Sequence, residues 1–328
     1  MGTYQVRRFE PDDAPRIAEL VRKVWGTDYF HRELYDAEEL LRLHAEGRHV
    51  SVVAADEAGN LVAHDALSRP ELGSVGETCM AMVRADHRGQ GLMTQTRRYI
   101  IEIARELGLE GVYGQPVVTH TASQKVYMGL GFVCVGIGLG LRPSTLHSDQ
   151  EEPMKGRGTL LLYYLPLKAD WARPVFAPTR HREMLGRLYE ALKLRAEFKT
   201  SAANDPGVEP AFTVKHGSIV LAFGERSGRA ETQVEGWAGL EEYTRTQRQE
   251  VLLMELPLDD ARTPAWYESA ERFGFSWSGL IPGLLGGRDA LRLVRLDVPV
   301  VDGAGVHIAD PEARAMFEYV RGHRMAVG

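Results

Sequence analysis

The sequence predicts a mixed α/β protein built from two domains. Its 328 residues correspond to about two domains at roughly 150 residues each. Strand patterns alternate with helical patterns along the chain, and some neighbouring strands are close enough to form hairpins. Both halves also end alike, with an apolar strand, a helix, a Gly-Phe pair and two further strands. This shared order favours a diverged internal duplication.

Composition defines the class of protein. Hydrophobic residues make up 44% and charged residues 26% of the chain, which excludes a disordered protein. The formal net charge of −6 gives no overall basic footprint for nucleic acid. No apolar run reaches the roughly 18 residues of a membrane span, and the N-terminus lacks an apolar signal region. Cys79 and Cys134 lie in apolar runs, so they are expected to be core residues. We therefore expect a cytoplasmic protein with no membrane or nucleic-acid partner.

In the first half, hydrophobic periodicity defines each element in turn. Apolar residues three and four positions apart predict helices, and alternating or short continuous apolar runs predict strands. Acidic residues mark the helix starts at 10–13 and 36, and the polar segment 56–60 marks a hairpin turn. The predicted elements are strand 3–9, helices 14–24 and 36–46, strands 49–55, 61–68 and 77–83, helix 92–107, strand 112–118, helix 122–130, and strands 132–141 and 159–167. The polar stretch 143–158 is predicted to be a loop inserted in the last hairpin.

A linker at 169–174 is predicted to separate a first domain, residues 1–168, from a second domain, residues 175–328. The second domain repeats the Gly-Phe pair near its end. Its predicted elements are strand 175–176, helix 180–197, strands 212–215 and 218–223, helix 234–249, strand 251–256, helix 264–273, strands 275–281 and 290–297, and helix 311–323.

The most specific feature is the segment Arg88-Gly89-Gln90-Gly91-Leu92-Met93, which joins a predicted strand to a long helix. The first turn of a helix has unpaired backbone amides and a partial positive charge, and glycine lets such a backbone approach a ligand closely. A loop of this kind can hold phosphate. Gly-x-Gly alone is weak evidence for a phosphate site, because ordinary strand–helix turns also use glycine. The segment matches neither the P-loop pattern nor the dinucleotide-binding fingerprint.

The segment Arg88–Met93 resembles the Arg/Gln-x-x-Gly-x-Gly/Ala signature of the GNAT family of N-acetyltransferases. The spacing from Val83 to Arg88 and the order of predicted elements over residues 3–167 are similar to those of the family. The sequence departs from the pattern at Met93, where the family usually has Gly or Ala. The resemblance implies two GNAT-like domains, each a mixed, mostly antiparallel twisted sheet flanked by helices.

The resemblance also implies acetyl-CoA as the acyl donor. Backbone amides of the glycine loop would hold its pyrophosphate, and the pantetheine arm would pair with the strand end at Met82–Val83, between that strand and 112–118. His120 stands where the family often has an Asn that touches pantetheine. The implied donor-binding residues are Met82, Val83, Arg88, Gly89, Gln90, Gly91, Leu92, Met93, Thr94, His120 and Ser123. No His or Cys spacing predicts a metal site.

Acyl transfer from a thioester to an amine needs a base for the ammonium proton and an acid for the departing thiolate. Tyr127 lies four residues before Gly131, where similar enzymes carry a Tyr near the thioester sulfur. The resemblance therefore implies that Tyr127 is the catalytic acid.

Glu77, at the start of the strand before the glycine loop, is the candidate base, because similar enzymes use a Glu at this place. Strand alternation predicts that Glu77 shares one face with Cys79, Ala81 and Val83. His64 and Asp65, on the neighbouring strand, are either an alternative base or a satisfied structural pair.

The second half lacks the implied donor site. Glu225 stands where the signature needs Arg or Gln, and Ala270 aligns with Tyr127 when the Gly-Phe pairs are matched. We interpret this half as a degenerate GNAT-like domain that completes the fold, shapes the acceptor pocket or mediates homodimerisation. The chain thus resembles tandem acetyltransferases with one active half.

The predicted function is an acetyl-CoA-dependent N-acetyltransferase. It would transfer the acetyl group to a primary amine of a small molecule or peptide, by direct attack in a ternary complex. Two alternatives stay open, namely a non-catalytic acyl-CoA-binding or sensing protein and an acyltransferase with a longer acyl-CoA donor. The acidic composition argues against aminoacyl-tRNA as the donor.

Overall fold

A computed structural model describes residues 2–27, 29–69, 72–143, 156–200, 211–215, 231–247, 250–298 and 305–324. The strands in these ranges are β1 Gln5–Arg8, β2 His49–Ala55, β3 Leu61–Ser68, β4 Val75–Val83, β5 Gly111–Gly114, β6 Val133–Arg142, β7 Gly158–Pro166, β8 Arg173–Val175, β9 Ala196–Phe198, β10 Ala211–Lys215, β11 Glu231–Glu235, β12 Val251–Pro257, β13 Ser276–Leu285 and β14 Arg288–Leu296. The helices are α1 Asp13–Trp25, α2 Ala37–Ala45, α3 Leu92–Glu106, α4 Ala122–Gly129, α5 Arg182–Ala191, α6 Gly236–Gln247, α7 Thr263–Arg272 and α8 Pro311–Gly322.

The main sheet has the strand order β1-β2-β3-β4-β5-β7-β6-β13-β14-β12, and its pairs are antiparallel apart from β4 and β5. Helix α1 buries Ile17 against Val53 of β2, whereas α3 buries Ile100 in the cluster that holds Val52. Because neighbouring residues of β2 point to opposite faces, these helices lie on opposite sides of the sheet. The predicted fold class, a mostly antiparallel mixed sheet flanked by helices, is confirmed.

Several predicted bounds differ from the structure. Strand β5 ends at Gly114 rather than at 118, because the chain then leaves β4. Helix α5 ends at Ala191, since Lys193 takes a left-handed conformation (φ 55°) and the chain turns into β9. Helix α6 is preceded by an unpredicted strand, β11. Most of the predicted loop 143–158 and the predicted strand 218–223 lie outside the described residues.

The predicted linker 169–174 ends inside strand β8. Its last charged residue, Arg173, is buried and forms ion pairs with Asp289 and with Glu110, the latter at 3.4 Å between Nη2 and Oε2. A solvent-exposed linker would not carry such contacts, so this part of the segment is anchored between the two halves.

The Gly-Phe turns of the two halves fold alike. Gly131 and Gly274 both have left-handed φ angles, 83° and 81°. The following amide bonds back to the preceding helix, from Phe132 N to Tyr127 O at 3.1 Å and from Phe275 N to Ala270 O at 3.0 Å. The next strand carries a bulge at the same place, between Cys134 and Gly136 in β6 and between Trp277 and Gly279 in β13.

The two halves meet where β6 lies beside β13, at the pair Gly136 and Gly279. A Cβ on Gly136 would collide with the carbonyl of Ser278, so only glycine allows this close approach. The hydroxyl of Ser278 donates to Ile137 O at 2.7 Å across the same junction. The sheet is therefore continuous from one half to the other.

In each half, the segment that follows the last strand of the main sheet forms hydrogen bonds with the other half. After β7, Phe176 N donates to Leu258 O at the end of β12, at 2.7 Å. After β14, His307 N donates to Val118 O at 2.6 Å, and α8 then packs against β6. The first half is thus completed by residues from the end of the chain. In the described ranges, no helix is long and apolar enough to cross a membrane.

Candidate functional site

The parallel strands β4 and β5 separate in the middle of the sheet. They pair from Val75 with Gly111 to Thr78 with Gly114. Strand β4 then continues to Val83, whereas the chain after Gly114 follows β7, where Leu161 N donates to Pro116 O at 2.9 Å. We call the resulting opening the splay and residues 115–121, which form its second side, the 115–121 loop.

A bulge in β4 lies just beyond the point of separation. On β3, Ala66 pairs with Cys79 and His64 pairs with Met82, so β4 holds one extra residue between these pairs. Met80, within this segment, has a φ of 57°, which is left-handed and costly for a residue with a side chain. The bulge therefore needs external support.

The prediction that Glu77, Cys79, Ala81 and Val83 share one face of the strand is wrong beyond Cys79, because the bulge intervenes. Cys79 packs against the cluster that holds Met82, on the side of α1. Val83 packs against a different cluster, which holds Leu92 of α3. One inserted residue reverses the alternation of a strand, so Glu77 and Val83 do not share a face.

A chain of hydrogen bonds supports the bulge. His64 Nδ1 lies 2.9 Å from Met80 O, and because a carbonyl only accepts, Nδ1 must donate. His64 Nε2 lies 2.9 Å from Ser51 Oγ, and His44 Nε2 lies 3.1 Å from the same oxygen. Burial lowers the pKa of His64 and of His44 to about 4, so both rings are neutral near pH 7. His64 is therefore a structural support for the bulge and does not pair with Asp65.

The stability of the protein should depend on pH through His64. Its pKa is about 6.5 when unfolded and about 4 when folded, so the unfolded state binds the extra proton and stability falls as the pH drops through this window. Between pH 6.5 and pH 5, His64→Gln should remove about 1.5 kcal/mol of the loss seen in the wild type. Urea unfolding at several pH values measures this difference. Parallel wild-type and variant curves would contradict it.

Tyr127 of α4 reaches the point where β4 and β5 separate. Its hydroxyl donates to Thr78 O at 3.2 Å and lies 3.0 Å from Thr78 Oγ1. Arg97 of α3 donates to the same Oγ1 at 2.9 Å, and its guanidinium lies 4.7 Å from the centre of the Tyr127 ring. Arg97 also makes two hydrogen bonds to Asp65, of 2.7 and 2.8 Å. Tyr127 therefore occupies the closed end of the splay, with a buried cation beside it.

Burial and charge act in opposite directions on Tyr127. Burial raises the pKa of its hydroxyl, while the charge of Arg97 acts to lower it. Burial also opposes the charge of Arg97, but Asp65 and Tyr127 together raise the pKa of Arg97. Arg97 is therefore charged, and a tyrosinate formed at Tyr127 would have a cation next to it.

Glu77 lies on the other side of β4 from this cluster, because consecutive strand residues point to opposite faces. It is half-buried, pairs with Tyr113 across the β4–β5 ladder, and accepts a hydrogen bond of 3.0 Å from Gln115 Nε2. Arg292 of β14 is paired with Glu255, and burial opposes its charge, but Glu255, Tyr113 and Glu77 together raise its pKa. The second half thus places a guanidinium near the candidate base.

The glycine loop lies at the open end of β4. Gly89 and Gly91 have φ angles of 77° and 73°, the left-handed region that glycine adopts without strain. Gly91 is the N-cap of α3, and within the described residues no side chain caps this end and the first turn carries no acidic residue. The first-turn amides therefore point to an uncapped, electropositive position. Arg88 Nε donates to Val83 O at 3.3 Å, which ties the loop to β4.

The other implied donor-binding residues differ in what they can offer. Met82 and Leu92 have side chains in the core, so only their backbone groups can face a ligand. His120 is half-buried beside α4. Ser123 has a buried hydroxyl to which no described residue gives a hydrogen-bond partner. Such an orphaned oxygen at the start of α4 is suited to a polar ligand group.

Sequence reasoning missed four side chains of this region: Thr78, Arg97, Gln115 and Arg292. One signal could have found Arg97, which lies three and four residues before Ile100 and Ile101 on the buried stripe of α3. A charged residue on such a stripe requires a buried partner. The other three act across strands distant in sequence, and no local pattern marks them.

The Cys134 thiol is not suited to nucleophilic chemistry. Cys134 is buried, and burial raises the pKa of its thiol to about 12. Within the ranges described, no group of three or more His, Cys, Asp or Glu side chains is arranged to hold a metal ion.

Comparison with known proteins agrees with the site. Residues 14–132 match the family model described as the Acetyltransferase (GNAT) family. The chain therefore contains a GNAT acetyltransferase domain, and the resemblance drawn from its first half is confirmed. The match spans β2 to β5, the glycine loop and α4, and it ends before the second half. A search of curated proteins finds no match.

Solved acetyltransferase structures are similar to about half of this chain. A ribosomal-protein-S5-alanine acetyltransferase from Vibrio fischeri is 19% identical, with a TM-score of 0.41 over 52% of this chain and 96% of its own. A ribosomal-protein-S18-alanine N-acetyltransferase from Escherichia coli is 15% identical, with a TM-score of 0.40 over 52% and 97%. A spermidine N-acetyltransferase from Vibrio cholerae is 17% identical, with a TM-score of 0.39 over 50% and 93%.

Proposed function

We propose that the protein is an acetyl-CoA-dependent N-acetyltransferase whose catalytic domain is residues 1–168. The observation that carries this proposal is the splay, which has the glycine loop at its open end and the Tyr127 hydroxyl at its closed end. The segment 169–174 then joins this domain to a degenerate GNAT-like domain, residues 175–328. The alike Gly-Phe turns and bulges of the two halves support this division.

The residues of the splay suit coenzyme A as a ligand. The uncapped first turn of α3 offers amides and positive dipole to the pyrophosphate. The β4 edge from Met82 to Val83 no longer pairs with β5, and apart from Val83 O, which accepts from Arg88, it can pair with the amides of the pantetheine arm. Ser123 offers a buried hydroxyl on the other side.

In the proposed reaction, acetyl-CoA supplies the thioester. Glu77 takes a proton from the acceptor ammonium, and the neutral amine nitrogen forms a bond to the thioester carbonyl carbon. The carbon–sulfur bond breaks, and Tyr127 gives its proton to the departing sulfur. The nitrogen then gives up its second proton and Tyr127 regains one, so the products are an acetylated amine, the coenzyme A thiol and the proton held by Glu77. Glu77 and Tyr127 lie on opposite faces of β4. The acceptor would therefore lose its proton on one side of the strand, and the sulfur would gain a proton on the other.

The acceptor would be a primary amine of a small molecule or peptide, bound on the Glu77 face of the sheet. Arg292 and Glu255 of the second half lie toward this face, which supports a role of that half in shaping the acceptor pocket. Among the described groups Glu77, Glu255 and Arg292, negative charge is in excess, which supports a cationic acceptor.

Calorimetric titration with acetyl-CoA tests the donor site. Gly91→Glu should weaken binding by roughly 100-fold, because a carboxylate would replace two charge-assisted contacts worth about 1.5 kcal/mol each. Gly108→Glu is the matched control, since Gly108 lies just beyond the other end of α3 with a φ of 72° against 73° at Gly91. The backbone strain of about 1 kcal/mol is the same in both variants.

The outcomes separate the alternatives. Binding in the wild type and the control, lost in Gly91→Glu, followed by thiol release with an amine, supports the acetyltransferase. Binding without release for any amine in a broad library would indicate a sensing protein. Binding only of longer acyl-CoA molecules would indicate a different donor, and no binding of either would overturn the proposal.

A further inference from the structure

One buried side chain joins the end of the chain to the splay. Gln124 of α4 is fully buried, and its Nε2 lies 2.9 Å from Val117 O and 3.0 Å from His120 O, both in the 115–121 loop. The same Nε2 lies 2.7 Å from His307 O, and Oε1 accepts from Ala309 N at 2.9 Å. A single amide group therefore connects two segments that are more than 180 residues apart.

The contact between these segments is continuous. His307 N donates to Val118 O at 2.6 Å, directly beside the Gln124 contacts. A few residues on, Asp310 caps α8 and accepts a hydrogen bond of 3.1 Å from Tyr163 of β7. Residues 305–310 thus lie along the 115–121 loop and are held at both ends.

These contacts fix the 115–121 loop, which is the side of the splay opposite β4. Beyond Gly114 the chain has left β4, and it contacts β7 through the bridge between Val117 and Leu160 and the hydrogen bond from Leu161 N to Pro116 O. Arg142 of β6 donates to Thr119 Oγ1 at 3.1 Å, and the segment 305–310 is a further long-range support of the 115–121 loop, through His307 and Gln124. A loop held only by short-range contacts would be free to close on β4 or to move away from it.

The corresponding place in the second half is built differently. When the Gly-Phe pairs are matched, Tyr267 of α7 takes the position of Gln124. Its hydroxyl lies 2.5 Å from His181 Nε2, on the segment that comes from the first half. In the second half the hydrogen bond joins two side chains, whereas the hydrogen bonds of Gln124 are all to backbone groups. The backbone contacts are thus particular to the half that carries the splay.

We propose that Gln124 is a positioning residue of the donor site, and that it holds the 115–121 loop open through the backbone of residues 307–309. This inference rests on the proposed function, because it assigns the splay to acetyl-CoA. It follows that the catalytic unit includes residues 305–310 from the end of the chain, in addition to residues 1–168.

Two full-length variants test this proposal. Gln124→Glu keeps the acceptor for Ala309 N but turns a carboxylate oxygen toward three carbonyls, and Gln124→Met removes all polar contacts at similar volume. Each should raise the KM and the Kd for acetyl-CoA by about ten-fold, while kcat and the acceptor KM change less than about two-fold. Ser278→Ala is the control, because it deletes another buried hydrogen bond between the halves, away from the splay.

The outcomes distinguish this inference from the function on which it rests. If the wild type binds no acetyl-CoA, the proposed function itself fails. If the wild type binds and a folded Gln124 variant binds equally tightly, the donor site stands and the positioning role is overturned. An equal rise in Kd for Ser278→Ala would also overturn it, since a general loosening of the halves would then be sufficient. Thermal unfolding identifies which variants are folded.

Discussion

Tyr127→Phe is expected to lower kcat by roughly 10²–10⁴-fold, with little change in the KM for either substrate. The substitution removes one oxygen and keeps the ring, which packs at 4.9 Å against Phe132 and at 5.7 Å against Tyr163. The proton that the departing thiolate would take is then absent. The measurement is thiol release under saturating acetyl-CoA and acceptor.

The structure suggests a suitable control for this substitution. Tyr189→Phe removes another buried hydroxyl, which donates to Asp289 at 2.6 Å in the second half. It should cost at least as much stability as Tyr127→Phe, because its partner is charged, yet leave kcat unchanged. An unchanged kcat for Tyr127→Phe would remove Tyr127 from the mechanism, and an equal loss in both variants would point to stability as the cause.

Tyr127 also illustrates how far local sequence patterns reach. The family resemblance marks Tyr127 by its position four residues before Gly131, and the Gly-Phe turn fixes the end of α4 by local hydrogen bonds. The same holds for the glycine loop, whose proposed function rests on a helix end and two left-handed glycines. Elements of this kind are encoded within about ten residues, and their predicted bounds agree with the structure to within about two residues.

Features that depend on pairing between distant segments could not be predicted in this way. The bulge at Met80 reverses the alternation of β4, and nothing in the residues of that strand announces it. The early end of β5 follows from the departure of the chain toward β7, which is a property of the whole sheet. The Gln124 contacts join residues of the first half to residues 307–309, more than 180 positions later. Each of these is a tertiary constraint that overrides a regular local pattern.

Arg97 is marked by the local pattern of α3, but its partner Asp65 is distant in sequence. The ion pair between them has the largest expected effect on the stability of the protein. Asp65→Ala should lower the free energy of unfolding by about 3–5 kcal/mol, because it leaves the fully buried guanidinium of Arg97 without its counter-charge. Urea unfolding measures the loss. Glu183→Ala is the matched control, since its partner Arg187 lies at 2.6 Å but both side chains are exposed, and such pairs contribute little.

The double variant Asp65→Ala/Arg97→Met should recover most of that loss, because it removes both charges and fills the space of the guanidinium stem with an apolar chain. Burial raises the pKa of Asp65 in spite of Arg97, so desolvation of the pair opposes its attraction. If Tyr127 is the acid, Arg97 acts beside it through Thr78, and we expect the stable double variant still to lose activity. A double variant as unstable as Asp65→Ala would contradict the desolvation argument, and a fully active one would contradict the role of Arg97 beside Tyr127.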